Sequence, residues 1–128
     1  MAITHSPPLT RSLVTRIAPF WIVVLIVGSV LPDQAKNAIG AHSQHRLYHL
    51  LSFGATAYLL TLIGRSNRER FYALLFVIAL GTALELAQHL IFHSPFEWWD
   101  VRDDTIGVLA AAPLGLWPAL HRRLIQEG

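Results

Sequence analysis

Glu85 is the residue that most demands a chemical explanation. It lies inside the run 71–92, which otherwise contains no Asp, Glu, Lys or Arg. An ionisable group in so apolar a segment is expensive, and is normally turned inward, paired and functional. The competing reading is a carboxyl that only ties helices together through a hydrogen bond. Residues three and four apart share a helix face, so Thr82, Glu85, Gln88 and His89 form one stripe. His45, His49, Ser52 and Thr56 form a second, provided the helix starts ahead of Leu47. Asp100, Asp104 and Gly107 form a third, which runs on into Ala111 and Gly115. The candidate polar site is therefore His49, Glu85, Gln88, His89, Asp100 and Asp104. The pairs His45/His49 and His89/His93 each place two imidazoles on one face, and zinc accepts such ligands together with a carboxylate. The spacing matches no specific zinc signature, so no metal and no cofactor is assigned. His45, His49, His89 and His93 are the ligands a metal would use, with Glu85, Asp100 and Asp104 as the carboxylates at hand. Gly107, Ala111 and Gly115, small residues at four-residue spacing, let another helix approach closely.

The elements that must position these residues are four apolar stretches: 17–31, 47–64, 71–92 and 106–120. Spanning a bilayer takes roughly 20 residues. The second and third stretches meet that length. The first reaches it by extending back to Leu13, with Arg16 snorkelling to the interface. The fourth reaches it by beginning near Asp103. A soluble four-helix bundle would need a polar face along each helix, which the first and last stretches lack. A cleaved signal peptide would need a small-x-small site after Leu31, where the chain reads PDQAKN. Trp21, Trp98, Trp99 and Trp117 fall near the ends of the stretches, as interfacial aromatics do. The expected fold is all-α, a four-span transmembrane bundle over 17–120, with a polar N-terminal tail (1–16) and a basic C-terminal tail (121–128).

Composition agrees. Of 128 residues, 53% are hydrophobic and 14% charged, against roughly 25% charged in ordinary soluble domains. Mean hydropathy is +0.44. A formal net charge of +2 is too small for an electrostatic footprint on nucleic acid. With no cysteine there is no disulfide, thiolate nucleophile or cysteine metal site.

An even number of spans puts both termini on one side. That side carries Arg11, Arg16, Arg65, Arg68, Arg70, Arg122 and Arg123, against Lys36, Arg46 and Arg102 on the other. The positive-inside rule places the termini in the cytoplasm. The loops 33–46 and 93–103 then face outward, and the polar stripes gather at the outer end of the bundle.

Three segments resemble the VanZ-like family of small bacterial integral membrane proteins. HRLYHLLSFGATAYLL opens a span with His49 in the family position. ALELAQHLI supplies Glu-x-x-Gln as Glu85 and Gln88. EWWDVRDDTIGVLAA follows the family's Asp-x-x-x-Asn-x-x-Gly as Asp100, Asp104 and Gly107. The order and spacing match over residues 45–115. Relatives often carry Asp-Lys where this chain has His45 and Arg46, and Asn where it has Asp104. An Arg typical of the loop before the Asp is replaced near Ser94, so Arg102 or a bound cation would have to balance the acidic cluster here. The family takes its name from a member linked to low-level resistance to the glycopeptide teicoplanin. The resemblance thus implies a multi-pass protein of the bacterial cytoplasmic (inner) membrane with a role at the cell envelope. Its partners would be the lipid bilayer and an envelope component or another membrane protein.

Other readings compete. Glu85 would suit a small proton-coupled exporter, although such exporters have weak charge bias and carry their Glu in the first span. The His and Asp cluster would suit a membrane-embedded metal-dependent hydrolase. The small-residue face of the last stretch would suit a partner subunit with no chemistry of its own.

Overall fold

Proline, capping and charge punctuate the chain into helices. The computed structural model describes residues 9–40, 44–117, 122 and 125–126. Helix α1 spans Arg11–Ser29 and is followed by Pro32 and a single short helix α2, Asp33–Ala38. Helix α3 spans His45–Ile63, α4 spans Asn67–Phe92 and α5 spans Trp98–Leu116. The start of α4 is sealed locally. Ser66 Oγ accepts the Glu69 N–H at 3.2 Å, and the Glu69 carboxylate accepts the Arg65 N–H at 2.7 Å. The helix stops at His93, which adopts a left-handed φ of 52° two residues before Pro95. Acidic Asp100, Asp103 and Asp104 occupy the first two turns of α5, where the positive end of the helix dipole favours them.

The long helices alternate in direction. Trp21 Nε1–H donates to Thr56 Oγ1 at 2.8 Å and Val14 packs with Leu62, so α1 and α3 are antiparallel. Gln88 Nε2–H donates to the Ser29 carbonyl at 2.5 Å, joining the C-terminal ends of α1 and α4. Helices α3 and α5 run the same way: His45 meets Asp100 near their starts, and Thr61 meets Gly115 near their ends. Phe53, Ala57, Val77 and Val108 form the core between α3, α4 and α5. Val14, Leu62 and Ile125 form a smaller cluster at the opposite end from His45. There the two-residue strands β1 (Leu9–Thr10) and β2 (Ile125–Gln126) pair in parallel, the one departure from helix in the described fold.

The seam between α3 and α5 is built from small residues. A Cβ on Gly54 would lie 3.1 Å from the Gly107 carbonyl oxygen, and one on Gly107 would run into the Leu50 carbonyl. Ala111 is buried, and Gly115 lies against Thr61. Close backbone approach of this kind maximises dispersion contact.

Large apolar side chains also point away from the core. Phe20, Val27, Leu51, Leu90 and Leu109 are each more than half exposed. Among the described residues two helices, α1 and α4, are long and apolar enough to cross a membrane.

Two expected boundaries move. Helix α1 begins at Arg11, so Arg11 and Arg16 sit in its first turns rather than in a tail ending at residue 16. Helix α5 begins at Trp98, ahead of the apolar stretch, because its acidic first turns are helical too. Residues 1–8 of the expected N-terminal tail, 118–120 of the last stretch, and Arg123 with most of 121–128 lie outside the described residues.

Candidate functional site

Because α3 starts at His45, His45 and His49 stack one turn apart on a single face, their rings T-shaped with centroids 4.6 Å apart. The parallel, close-packed α5 brings its first two turns against this face. His45 Nε2 lies 2.9 Å from Asp100 Oδ2, and His49 Nε2 lies 3.5 Å from the same oxygen. His49 Nδ1–H donates to Asp104 Oδ1 at 2.6 Å. Asp100 and Asp104 are only 4% and 2% exposed, so each depends on these partners. Helix α4 makes room for them with a missing side chain: a Cβ on Gly81 would stand 2.7 Å from Asp104 Oδ2 and 3.0 Å from Phe53 Cε1.

Glu85, one turn on from Gly81, is buried beside this group. Its Oε1 accepts the Glu97 N–H at 2.7 Å, at the residue that caps α5. The carboxylate therefore fixes the start of the helix that carries Asp100 and Asp104. Glu97 returns towards α3, with Oε2 3.8 Å from His45 Nε2.

The electrostatics follow from this crowding. The hydrogen bond to Asp100 raises the His45 pKa above the ordinary imidazole value, against the opposing effect of burial. Burial pushes Asp100 upward, but the His45 hydrogen bond and the two imidazoles carry it below the usual carboxylate value. Glu97 is raised by burial and by the neighbouring charges of Asp100 and Glu85.

Arg102 balances Asp103 rather than Asp100 or Asp104. Its Nε–H and Nη2–H donate to Asp103 Oδ1 at 3.1 and 2.8 Å, while its guanidinium lies 4.6 Å from the centroid of the Trp99 ring. Arg46 Nε–H donates to Asp103 Oδ2 at 3.1 Å. Asp103, fully buried, thus takes both arginines.

The remaining candidates scatter. Gln88 is held by the Ser29 carbonyl and belongs to the α1–α4 contact. His89 Nδ1–H donates to the Ser94 carbonyl and its ring lies edge-on to Phe96, so it orders the loop rather than joining His49. His93 is the exposed C-cap of α4. Of the possible metal ligands, His45 and His49 come together with Asp100, their donor atoms all within 4.8 Å of one another. Among the described residues this is the one such group of three. His89 and His93 stand outside it.

Sequence reasoning placed His45 among possible ligands but left it out of the polar site, and it overlooked Glu97. The four-residue step from His45 to His49 was a usable signal. Glu97 had none, since it precedes α5 and reaches the site only through the turn at 93–97. A cavity of about 260 Å³ also adjoins the histidines, lined by Trp21, Leu25, Lys36, His45, His49 and Gln88 among others. Its walls come from helices far apart in the chain.

Compared with known proteins, the chain matches no family model, no curated protein and no solved structure.

Proposed function

We propose that this chain is a four-span, VanZ-like protein of the bacterial cytoplasmic membrane that engages a cell-envelope component through an outward-facing polar site, in a teicoplanin-type resistance role. The observation that carries this reading is the meeting of His45 and His49 from α3, Glu85 from α4, and Asp100 and Asp104 from α5 at one end of an otherwise apolar bundle. That end belongs to the loops poorer in Lys and Arg, which the positive-inside rule assigns to the exterior. Membrane residence draws support from α1 and α4, both long and apolar enough to span, and from the apolar side chains turned outward on all four long helices. In α3 and α5 the charged residues are confined to the polar end. Beyond it, residues 47–63 and 106–116 contain no Asp, Glu, Lys or Arg. The three segments that resemble VanZ-like motifs supply the site residues His49, Glu85, Asp100 and Asp104.

The test is the teicoplanin susceptibility of a bacterium expressing the chain. Wild type raises the inhibitory concentration. His49→Ala and Glu85→Gln return it to the empty-vector value at unchanged abundance in the membrane. Unchanged susceptibility with abundant wild-type protein overturns the resistance role. Full resistance in both variants overturns the site.

A further inference from the structure

We infer that His45, His49 and Asp100 form a binding site for a divalent transition-metal ion of the zinc class. The inference goes beyond the envelope reading and is independent of it, because it stands on local geometry alone. Zinc takes imidazole nitrogens and carboxylate oxygens at about 2.0–2.2 Å in a tetrahedron, which places neighbouring ligand atoms about 3.4 Å apart. Here His45 Nε2 and His49 Nε2 lie 2.9 and 3.5 Å from Asp100 Oδ2. All three donor atoms fall within 4.8 Å of one another. Rotamer adjustments smaller than a bond length bring them onto one ion.

A second, separate feature fits the same conclusion. His49 Nδ1 is engaged by Asp104 Oδ1 at 2.6 Å, which leaves Nε2, the atom that faces Asp100, as the ring nitrogen an ion can take. A buried carboxylate behind a histidine is the arrangement that orients and strengthens imidazole ligands at metal centres. Asp104 is therefore a positioning residue rather than a ligand.

Charge points the same way. Asp103 is neutralised by Arg46 and Arg102. Glu85, Glu97, Asp100 and Asp104 remain clustered, with His45 and Glu97 hydrogen-bonded to Asp100 and His49 to Asp104. A dication balances that excess, and the nitrogen-rich donor set favours zinc over magnesium or calcium. The cavity lined by His45 and His49 gives the ion an approach from the α1 side.

The experiment uses the full chain purified in detergent, stripped with chelator and titrated with Zn²⁺ against a chromophoric zinc indicator. One ion binds per chain. His49→Gln and Asp100→Asn each weaken binding by at least about tenfold, and Asp104→Ala by about 10–100-fold, the range seen on loss of an outer-shell partner. Asp103→Asn and His89→Gln leave affinity unchanged. A second measurement needs no variant: Co²⁺ added to the stripped wild type gives the intense visible absorption of a tetrahedral nitrogen–oxygen site. Absence of stoichiometric Zn²⁺ binding overturns the inference. So does a weak octahedral Co²⁺ spectrum, or binding that survives both His49→Gln and Asp100→Asn.

Discussion

The hydrogen bond from His49 Nδ1 to Asp104 Oδ1, 2.6 Å long, joins two parallel helices at a point where both side chains are turned away from solvent. An Asn at position 104 would offer an Oδ1 that accepts the same N–H. Asp104→Asn should therefore stay within about 1 kcal/mol of wild type, whereas Asp104→Ala removes the acceptor of a partly buried imidazole, at a cost of about 1 kcal/mol or more. Thermal unfolding in detergent, followed by circular dichroism, measures both. Equal losses would mean that the negative charge, and not the acceptor, holds the helices together.

Glu85 makes a different kind of bond. Its carboxylate accepts the main-chain N–H of Glu97 at 2.7 Å and so fixes the entry to α5. Glu85→Gln keeps an acceptor in place and should retain the fold. Glu85→Leu leaves a helix-cap N–H without its acceptor, at a cost of about 1–3 kcal/mol. Amide exchange checks this directly: protection at Glu97 should persist in the Gln variant and fall in the Leu variant. A Gln variant that folds normally yet fails the susceptibility test passed by wild type would separate a chemical role of Glu85 from its structural one.

How far the sequence could reach depended on the range of the interaction. The three stripes were legible because i, i+3 and i+4 neighbours share a helix face whatever the tertiary fold. The small-residue spacing of Gly107, Ala111 and Gly115 announced a close helix contact, though not that α3 would supply it through Gly54 and Leu50. Pairings across helices were not legible. Arg102 and Asp103 are adjacent in sequence and find each other, yet the pairing of Arg46 with Asp103 depends on the α3–α5 register. His89 has the same helical offset from Glu85 that His49 has from His45. It nevertheless turns to the Ser94 carbonyl, because the left-handed His93 folds the chain back over it. The stripe through Asp100 and Asp104 implied helix ahead of the apolar stretch, although hydropathy alone could not show that α5 starts at Trp98. At a helix N-terminus acidic residues are stabilising.

The Gly107 seam offers a clean contrast with another helical glycine. A Cβ at Gly107 would collide with the Leu50 main-chain carbonyl, which cannot move without shifting α3, whereas a Cβ at Gly28 would meet nothing within 4 Å. Gly107→Ala should destabilise by about 1–3 kcal/mol through overpacking. Gly28→Ala should be neutral or stabilise by up to about 1 kcal/mol, since alanine loses less backbone entropy in a helix. Melting temperatures of the two variants, measured side by side, test the packing directly. A neutral Gly107→Ala would show that the seam is looser than the geometry requires.

The orientation of the bundle is open to a test that this chain makes simple, because it has no cysteine of its own. Ser12 and Asn37 are exposed, lie beyond opposite ends of α1's apolar run, and carry no charge that could bias insertion. Seven Lys and Arg residues on the Ser12 side against three on the Asn37 side predict that Ser12 is cytoplasmic. In intact cells a membrane-impermeant maleimide should label Asn37→Cys and spare Ser12→Cys, and permeabilisation should expose both. Labelling of both in intact cells would indicate dual insertion, the pattern suited to the exporter reading. Reversed labelling would turn the polar site towards the cytoplasm and remove its access to the envelope. Because His45, His49 and Asp100 would keep their mutual geometry in either orientation, zinc binding would survive that outcome, and the two conclusions would be judged separately.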